Sequence, residues 1–181
     1  MKIFKILFFI IFTQSIMAQE YTADNQKSKI GFVIKNLGLN VTGTFSGLKG
    51  TIIFDSEKLN ASQMEFSVNA NSVNTDNEAR DKHLRKEEYF DVDKFEFITF
   101  KSTKISAAVR LNRYNVEGNL IIKGITKPIK FELIAVKKDT EIDLKCNFEI
   151  NRRNYKVGGG SIILSDNVKM NLNIIANKKI L

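Results

Sequence analysis

The chain has 181 residues, with 28 lysines and arginines against 20 aspartates and glutamates, which gives a formal net charge of +8. A single cysteine, Cys146, excludes an internal disulfide, so packing has to stabilise the fold. The basic residues are scattered along the chain, which argues against a nucleic-acid partner. Transient contact with an anionic head group or a membrane surface stays open as an alternative.

The first 18 residues, MKIFKILFFIIFTQSIMA, have the three-part layout of a secretory signal peptide. An apolar run from Ile6 to Phe12 follows two lysines, and it is too short to span a bilayer. The alternative is a buried N-terminal helix. We expect cleavage after Ala18, which assigns residues 1–18 to the signal peptide and 19–181 to one domain. No cysteine at the cleavage site can carry a lipid anchor, so we expect a periplasmic or secreted protein.

Residues 141–151, EIDLKCNFEIN, alternate apolar and polar side chains without a break. A period of two predicts a strand with one wet face, and such strands belong to antiparallel sheets. The same alternation recurs along the chain, at residues 30–34, 64–70, 114–122, 129–135 and 168–176, with shorter candidates at 39–45, 49–55 and 97–103. The pattern therefore predicts about nine antiparallel strands.

One-sided strands need a second wall to cover their apolar face, which favours a sandwich or a barrel. Glycines occur where tight turns or sharply curved strands would need them, at positions 43, 47, 50, 118 and 124. They favour the barrel.

The stretch TDNE, from Thr75 to Glu78, fits the capping box that begins a helix. No proline or glycine interrupts the residues that follow, so the sequence predicts a helix over about 76–88. Asp81 and Arg85 lie four positions apart on it and are expected to form an exposed ion pair.

The stretch RDKHLRKEEYFD (80–91) lies largely in this helix, and it places an arginine, an aspartate and the only histidine of the chain within four positions. Asp81 points away from His83 on a helix, and no serine or cysteine nucleophile is evident beside the histidine. Zinc would need three or four ligands, while Cys146 is expected to be a small buried hydrophobe. We therefore predict a protein that is not an enzyme and uses no cofactor or metal, with Tyr89 and Phe90 anchoring the helix to the barrel.

A further signal comes from four segments that follow one another along the chain. They read FVIKNLGLNVTGTFSGLKGTIIFD (32–55), NEARDKHLRKEEYFDVDKFEFITFKST (77–103), VEGNLIIKGITKPIKFEL (116–133) and FEINRRNYKVGGGSIILSDNVKMNLNI (148–174). In this combination the chain resembles the YceI-like family of bacterial polyisoprenoid-binding, lipocalin-like proteins. It departs from that family at Asn36, where many relatives carry histidine, and in the glycine run 158–160.

The resemblance implies an all-β fold, an antiparallel eight-stranded lipocalin-like β-barrel with one short α-helix at its side or mouth. It also implies a secreted or periplasmic lipid-binding protein that holds a long-chain polyisoprenoid, of the quinone or prenyl phosphate type, in an apolar lumen for transport or storage. The expected partner is therefore a polyisoprenoid or a similar long apolar lipid. The identity of the lipid and the oligomeric state are not predicted.

An eight-stranded barrel encloses either a filled core or one slender ligand. The expected lumen residues all belong to the inward apolar series: Phe32, Ile34, Phe45, Phe66, Val68, Phe100, Val116, Leu120, Phe131, Leu133, Phe148, Met170 and Leu172. Candidate head-group residues are Arg80, His83 and Arg152. Arg152 belongs to a basic loop, NRRNYKVGGG, and the alternative interpretation of this loop is a solvated turn between two strands.

Two other interpretations remain. The first is a filled barrel that acts as a stress-related or structural interaction module. The second is an enzyme acting on an isoprenoid lipid through His83, with Arg80 or a distant acid.

Overall fold

The computed structural model describes residues 18–180. The predicted signal peptide lies outside the described residues except for Ala18. The strands are β1 Gln19–Ala23, β2 Lys29–Asn36, β3 Leu39–Phe45, β4 Lys49–Phe54, β5 Gln63–Asn69, β6 Phe97–Ala107, β7 Arg113–Ile122, β8 Ile125–Lys137, β9 Glu141–Asn151 and β10 Leu164–Lys178, with one α-helix, α1 Glu78–Leu84. Short 3₁₀ helices lie at Leu59–Ala61, Ala70–Ser72 and Arg152–Tyr155. Within the described part of the chain, no helix is long and apolar enough to span a membrane.

The ten strands close into one antiparallel barrel that is eight strands around, because two of the eight barrel strands are each made of two segments. β10 pairs with β2 over residues 164–173 and with β1 over 176–178, so β1 and β2 are two segments of one bent barrel strand. β3 pairs with β2 and β4 pairs with β1, so β3 and β4 together form the neighbouring barrel strand. The predicted antiparallel eight-stranded barrel is therefore confirmed.

The alternating segments of the sequence all become strands, and β9 has the predicted limits of 141 and 151. β1 has no counterpart among the predicted strands, because only Tyr21 of its five residues is buried and the alternation is too short to detect. The other differences lie at strand ends, for example in β6, which extends to Ala107.

The connections between barrel strands divide the barrel into two ends. One end, here called the mouth end, carries the β2–β3 turn, residues 70–96 with α1, the β7–β8 turn and the β9–β10 connection. The opposite end, here called the far end, carries the β4–β5, β6–β7 and β8–β9 connections. β3 pairs with β2 on one edge, while its other edge has no strand partner and is joined only by a bridge between Thr44 and Asn74. Segment 70–96 lies in this gap between strands of the barrel.

The far half of the barrel is filled with side chains. Ile52, Phe54 and Ile142 are at most 1% exposed, and Phe54 meets Tyr114 edge to face with ring centroids 5.1 Å apart. These residues share one continuous apolar cluster with Val116. This half is the conventional hydrophobic core of the protein.

The helix is shorter than predicted, and the predicted capping box is wrong. The N-cap is Asn77, whose side chain accepts from the backbone N–H of Arg80. Thr75 instead directs its N–H and hydroxyl to the carboxylate of Asp81, which is buried. The predicted Asp81–Arg85 ion pair is therefore wrong as well, and the Arg85 guanidinium donates to the carbonyls of residues 71 and 73.

The aromatic pair after the helix anchors it as expected. The Phe90 ring meets Phe45 of β3 edge to face at a centroid distance of 5.4 Å. The backbone N–H of Phe90 also donates to the carbonyl of Leu84, which ends the helix. Segment 70–96 is thus fixed to the barrel wall beside the mouth.

Candidate functional site

A cavity of about 340 Å³ occupies the mouth half of the barrel. Ligand-binding cavities in proteins have volumes of about 300–1,000 Å³. Its floor is formed by Leu144, Cys146 and Ile174, while Arg80 and His83 of α1 line it at the mouth. Because His83 is exposed, the cavity reaches solvent beside the helix. The space is therefore deep, apolar and open at one end.

The predicted lumen residues can now be placed. Those that line the cavity are Phe32, Ile34, Phe45, Phe66, Val68, Phe100, Leu120, Phe131, Leu133, Phe148, Met170 and Leu172. Val116 departs from the expectation, because it lies fully buried in the filled half and does not line the cavity. Lipid contact by any of these residues stays a prediction.

Aromatic rings form much of the cavity wall. Phe131 stacks on Phe148 with ring centroids 4.9 Å apart and meets Phe100 at 5.5 Å. Phe66 lies directly opposite Phe100 in the β5–β6 register. Stacked and tilted rings offer a broad hydrocarbon surface without polar atoms.

Two strand glycines make room for these rings. A Cβ atom on Gly118 would lie 2.5 Å from the Phe100 ring, and one on Gly50 would lie 2.3 Å from the Phe66 ring. Only glycine allows such a close approach, so both rings lie flat across the neighbouring strand. These two glycines, which the sequence associates with strand curvature, shape the cavity wall.

Most wall residues of the cavity are only half buried, although they point inward. Phe66, Phe100, Phe131 and Phe148 are all partly exposed, in contrast to the inward residues of the far half. The exposed surface of these side chains faces the cavity. The lumen is therefore lined by its side chains and not filled by them.

Cys146 lines the floor of the cavity and is buried, as predicted. Burial raises the pKa of its thiol to about 12, so the thiol stays protonated at neutral pH. Within residues 18–180, no group of histidine, cysteine, aspartate or glutamate side chains is arranged to hold a metal ion. Cys146 thus acts as one more small apolar side chain in the wall.

Arg80 lies at the mouth in a hydrogen-bond chain with Thr75 and Asp81. Its Nε donates to the Thr75 hydroxyl over 2.7 Å and its Nη2 donates to the Thr75 carbonyl over 2.8 Å. The hydroxyl in turn donates to the buried carboxylate of Asp81. This network fixes the guanidinium while its Nη1 group makes no hydrogen bond to any described residue, so one edge is available to a ligand.

His83 lines the cavity next to Tyr89, with ring centroids 4.9 Å apart and the rings nearly perpendicular. No carboxylate of the described residues lies within hydrogen-bonding distance of its ring, and the bonded oxygen of Asp81 faces Thr75. An imidazole without an orienting acid or a neighbouring nucleophile lacks the usual geometry of a general base.

Arg152 is only 4% exposed, and its guanidinium is saturated by the protein. Its donors reach the carbonyls of residues 157, 159, 164 and 165 and the carboxylate of Asp166, at 2.8–3.4 Å. Four of these acceptors are main-chain groups of the β9–β10 connection and of the bulge at the start of β10. The arrangement identifies Arg152 as a residue that holds this loop in place, although its side chain also borders the cavity.

Several wall residues have no role in the expected site, and three of them are Tyr89, Phe90 and Asn36. Tyr89 and Phe90 follow the helix, where no regular period reports burial. Asn36 closes β2 at the mouth, and its Oδ1 atom is buried without a hydrogen-bond partner among the described residues. The sequence identifies Asn36 only as a departure from the pattern of the family that the chain resembles. The structure adds that this position places an unpaired polar atom at the mouth of the cavity.

Comparisons of sequence identify relatives over most of the chain. The family model for the YceI-like domain matches residues 21–176. A UPF0312 protein of Pectobacterium atrosepticum is 38% identical over 121 residues, which are 65% of this chain and 62% of that protein. Protein YceI of Salmonella arizonae is 37% identical over 123 residues, which are 66% of this chain and 63% of that protein. The matched segments thus span a little under two thirds of these curated relatives.

Comparisons of structure agree. BcnA of Burkholderia cenocepacia superposes with a TM-score of 0.80 at 23% identity, covering 84% of this chain and 98% of that one. A polyisoprenoid-binding domain from Saccharophagus degradans has a TM-score of 0.74 at 19% identity, covering 90% and 99%. The YceI protein of Campylobacter jejuni has a TM-score of 0.71 at 27% identity, covering 78% and 87%. The chain described here belongs to the YceI-like domain family.

Proposed function

We propose that this protein binds the hydrocarbon chain of a long polyisoprenoid in its cavity and carries or stores that lipid in the periplasm or outside the cell. The observation that supports the proposal most strongly is the open cavity, whose walls are almost wholly apolar. If side chains filled the barrel, the aromatic rings of the cavity wall would be fully buried instead of partly exposed. The polyisoprenoid-binding domain of S. degradans, which shares the fold, is consistent with this ligand class.

The expected ligand follows from the chemistry of the walls. Sugars and ions would lose hydrogen bonds to water without replacement, while each buried methylene of a hydrocarbon contributes about 0.8 kcal/mol. Even a few isoprene units can therefore offset the cost of association.

The head group of the lipid is proposed to lie at the mouth, beside Arg80 and His83. The free edge of Arg80 can donate to a phosphate or to a quinone oxygen, since it is held in place by Thr75. Arg152 is a poorer candidate, because a ligand would have to displace one of its protein partners. Asn36 offers a further polar contact at the same end.

Titration of the purified protein with prenyl alcohols of increasing length, followed by native mass spectrometry, tests the proposal. We expect a one-to-one complex whose affinity rises with each added isoprene unit until the cavity is full. Absence of a complex, or an affinity independent of chain length, would contradict the proposal.

Prenyl phosphates of the same lengths test the head-group site. We expect Arg80→Gln to weaken binding of the phosphates by about tenfold, the value of one charge-assisted hydrogen bond, and to leave the alcohols unchanged. The alcohols control for damage to the cavity. An equal loss for phosphate and alcohol would contradict a head-group contact by Arg80.

A further inference from the structure

Four large apolar side chains stand in solvent at the mouth end. Leu37 and Leu39 in the β2–β3 hairpin are 70% and 74% exposed, Ile162 in the β9–β10 connection is fully exposed, and Ile163 is 48% exposed. The N–H of Leu37 donates to the carbonyl of Ile163 over 2.8 Å, which joins the hairpin to the loop. We call these four residues the rim patch.

The rim patch borders the cavity. Asn36 and Leu164 are paired in the β10–β2 register, and both line the cavity. Asn36 is followed directly by Leu37, and Leu164 is preceded directly by Ile163. The patch thus directly adjoins the residues that line the cavity at its mouth.

Leu37 occupies a position that disfavours leucine. Its φ is +50° and that of Gly38 is +77°, the sign pattern of a type I′ turn. Such a position suits asparagine or glycine, and a leucine there is strained while its side chain stays in water. Neither turn stability nor core packing explains this residue, which points to a contact outside the chain.

The two segments that carry the rim patch are basic. Residues 35–40 and 152–164 contain four basic residues and no acidic one. Of these four, Lys35, Arg153 and Lys156 are exposed and Arg152 is buried, and the carboxylate of Asp166 pairs with both arginines. An apolar tip whose own segments carry exposed cations fits the interface of an anionic bilayer.

We infer that the rim patch docks this protein on an anionic lipid bilayer, with the leucines and isoleucines inserted among the acyl chains and the mouth facing the lipid. The inference rests on the proposed function for the nature of the cargo. Docking itself needs no cargo, so the two can be tested separately.

Co-sedimentation of the protein with phosphatidylglycerol–phosphatidylcholine vesicles tests the docking surface. We expect the double variant Leu37→Asn, Ile162→Asn to bind these vesicles at least about tenfold more weakly for each residue changed. Lys35→Gln should weaken binding about fivefold, and only to vesicles that contain the anionic lipid.

Leu37→Asn alone should raise the midpoint of thermal unfolding, because it relieves the strained turn.

Leu111→Asn is the matched control, since Leu111 is 90% exposed in the β6–β7 connection at the far end. It should bind vesicles as the wild type does. The inference is overturned if the double variant binds vesicles like the wild type, if Leu111→Asn loses as much binding, or if the wild type ignores vesicles and instead dimerises through the patch. Titration with a short soluble prenyl alcohol must stay unchanged in the double variant. A loss there would make the patch part of the ligand site and would also overturn the inference.

Discussion

The two halves of the barrel are built from the same alternating strands and differ in how their interiors are occupied. In the far half, Ile52, Phe54 and Ile142 are at most 1% exposed. In the mouth half, inward residues such as Phe131 and Phe148 remain partly exposed around a cavity of about 340 Å³. Alternation therefore tells which side chains point inward, but the lumen can be filled at one level and open at another.

The wall of the mouth half explains the difference. β3 lacks a continuous partner on its outer edge, and segment 70–96 with α1 lies in the resulting split. Phe66 and Phe100 lie flat over Gly50 and Gly118 instead of reaching across the lumen. Both features keep side chains away from the axis of the barrel, whereas Phe54 and Tyr114 meet each other in the far half.

The largest difference between the halves is expected for Phe54→Ala. This residue is 1% exposed, and removing its ring leaves a cavity that the packed far half cannot collapse, at a cost of about 3–5 kcal/mol in the free energy of unfolding. Urea denaturation measures the loss. A loss below about 1 kcal/mol would show that the far half is not the tightly packed core described here.

Arg152→Met is expected to have the next largest effect. It leaves main-chain carbonyls of the β9–β10 connection without donors, which costs about 2–3 kcal/mol of unfolding free energy. The matched variant Arg153→Met, at an exposed side chain, should stay within about 0.5 kcal/mol of the wild type. Equal effects of the two substitutions would contradict the structural role of Arg152.

Phe148→Ala removes a ring of the same size in the mouth half and should cost less than Phe54→Ala, about 2 kcal/mol. One side of this ring already faces the cavity, so fewer contacts are lost. Urea denaturation in the absence of ligand gives the comparison. A loss as large as that of Phe54→Ala would mean that the mouth half is as tightly packed as the far half.

Cys146 gives the smallest effect and reports on the cavity floor. Its thiol has a pKa of about 12 when folded against 9.0 for the free group, so above pH 9 only the unfolded chain loses this proton. The free energy of unfolding should therefore fall as pH rises, by about 1.4 kcal/mol at pH 10 from this group. Cys146→Ala should lack that part of the decline. An identical pH dependence of both proteins would place the thiol in contact with water.

Much of the fold follows from local patterns in the sequence. The alternation in residues 141–151 predicts β9 to the residue, because one wet and one dry face impose the period directly. The helix start is wrong for a physical reason. Thr75 and Asn77 can both cap, and the choice depends on Asp81 being buried against Thr75, which no local pattern reports.

The candidate site is predictable to a similar depth. Inward positions of regular strands, such as Phe131, line the cavity in the structure, whereas Val116 shares their pattern and lies in the filled half. The level at which a side chain lies along the barrel depends on register between distant strands. Likewise, Arg152 has the sequence context of a basic loop, and its buried hydrogen bonds appear only in the folded structure.

The most direct test of the central claim blocks the open half while leaving the filled half alone. Val168 lines the cavity near the mouth, and its neighbour Lys169 is exposed on the outer face of the same strand. Native mass spectrometry of wild type, Val168→Trp and Lys169→Trp, each mixed with one long prenyl alcohol, measures the bound fraction. The account predicts one lipid per chain in wild type and Lys169→Trp and little in Val168→Trp. Equal occupancy of all three proteins would contradict it.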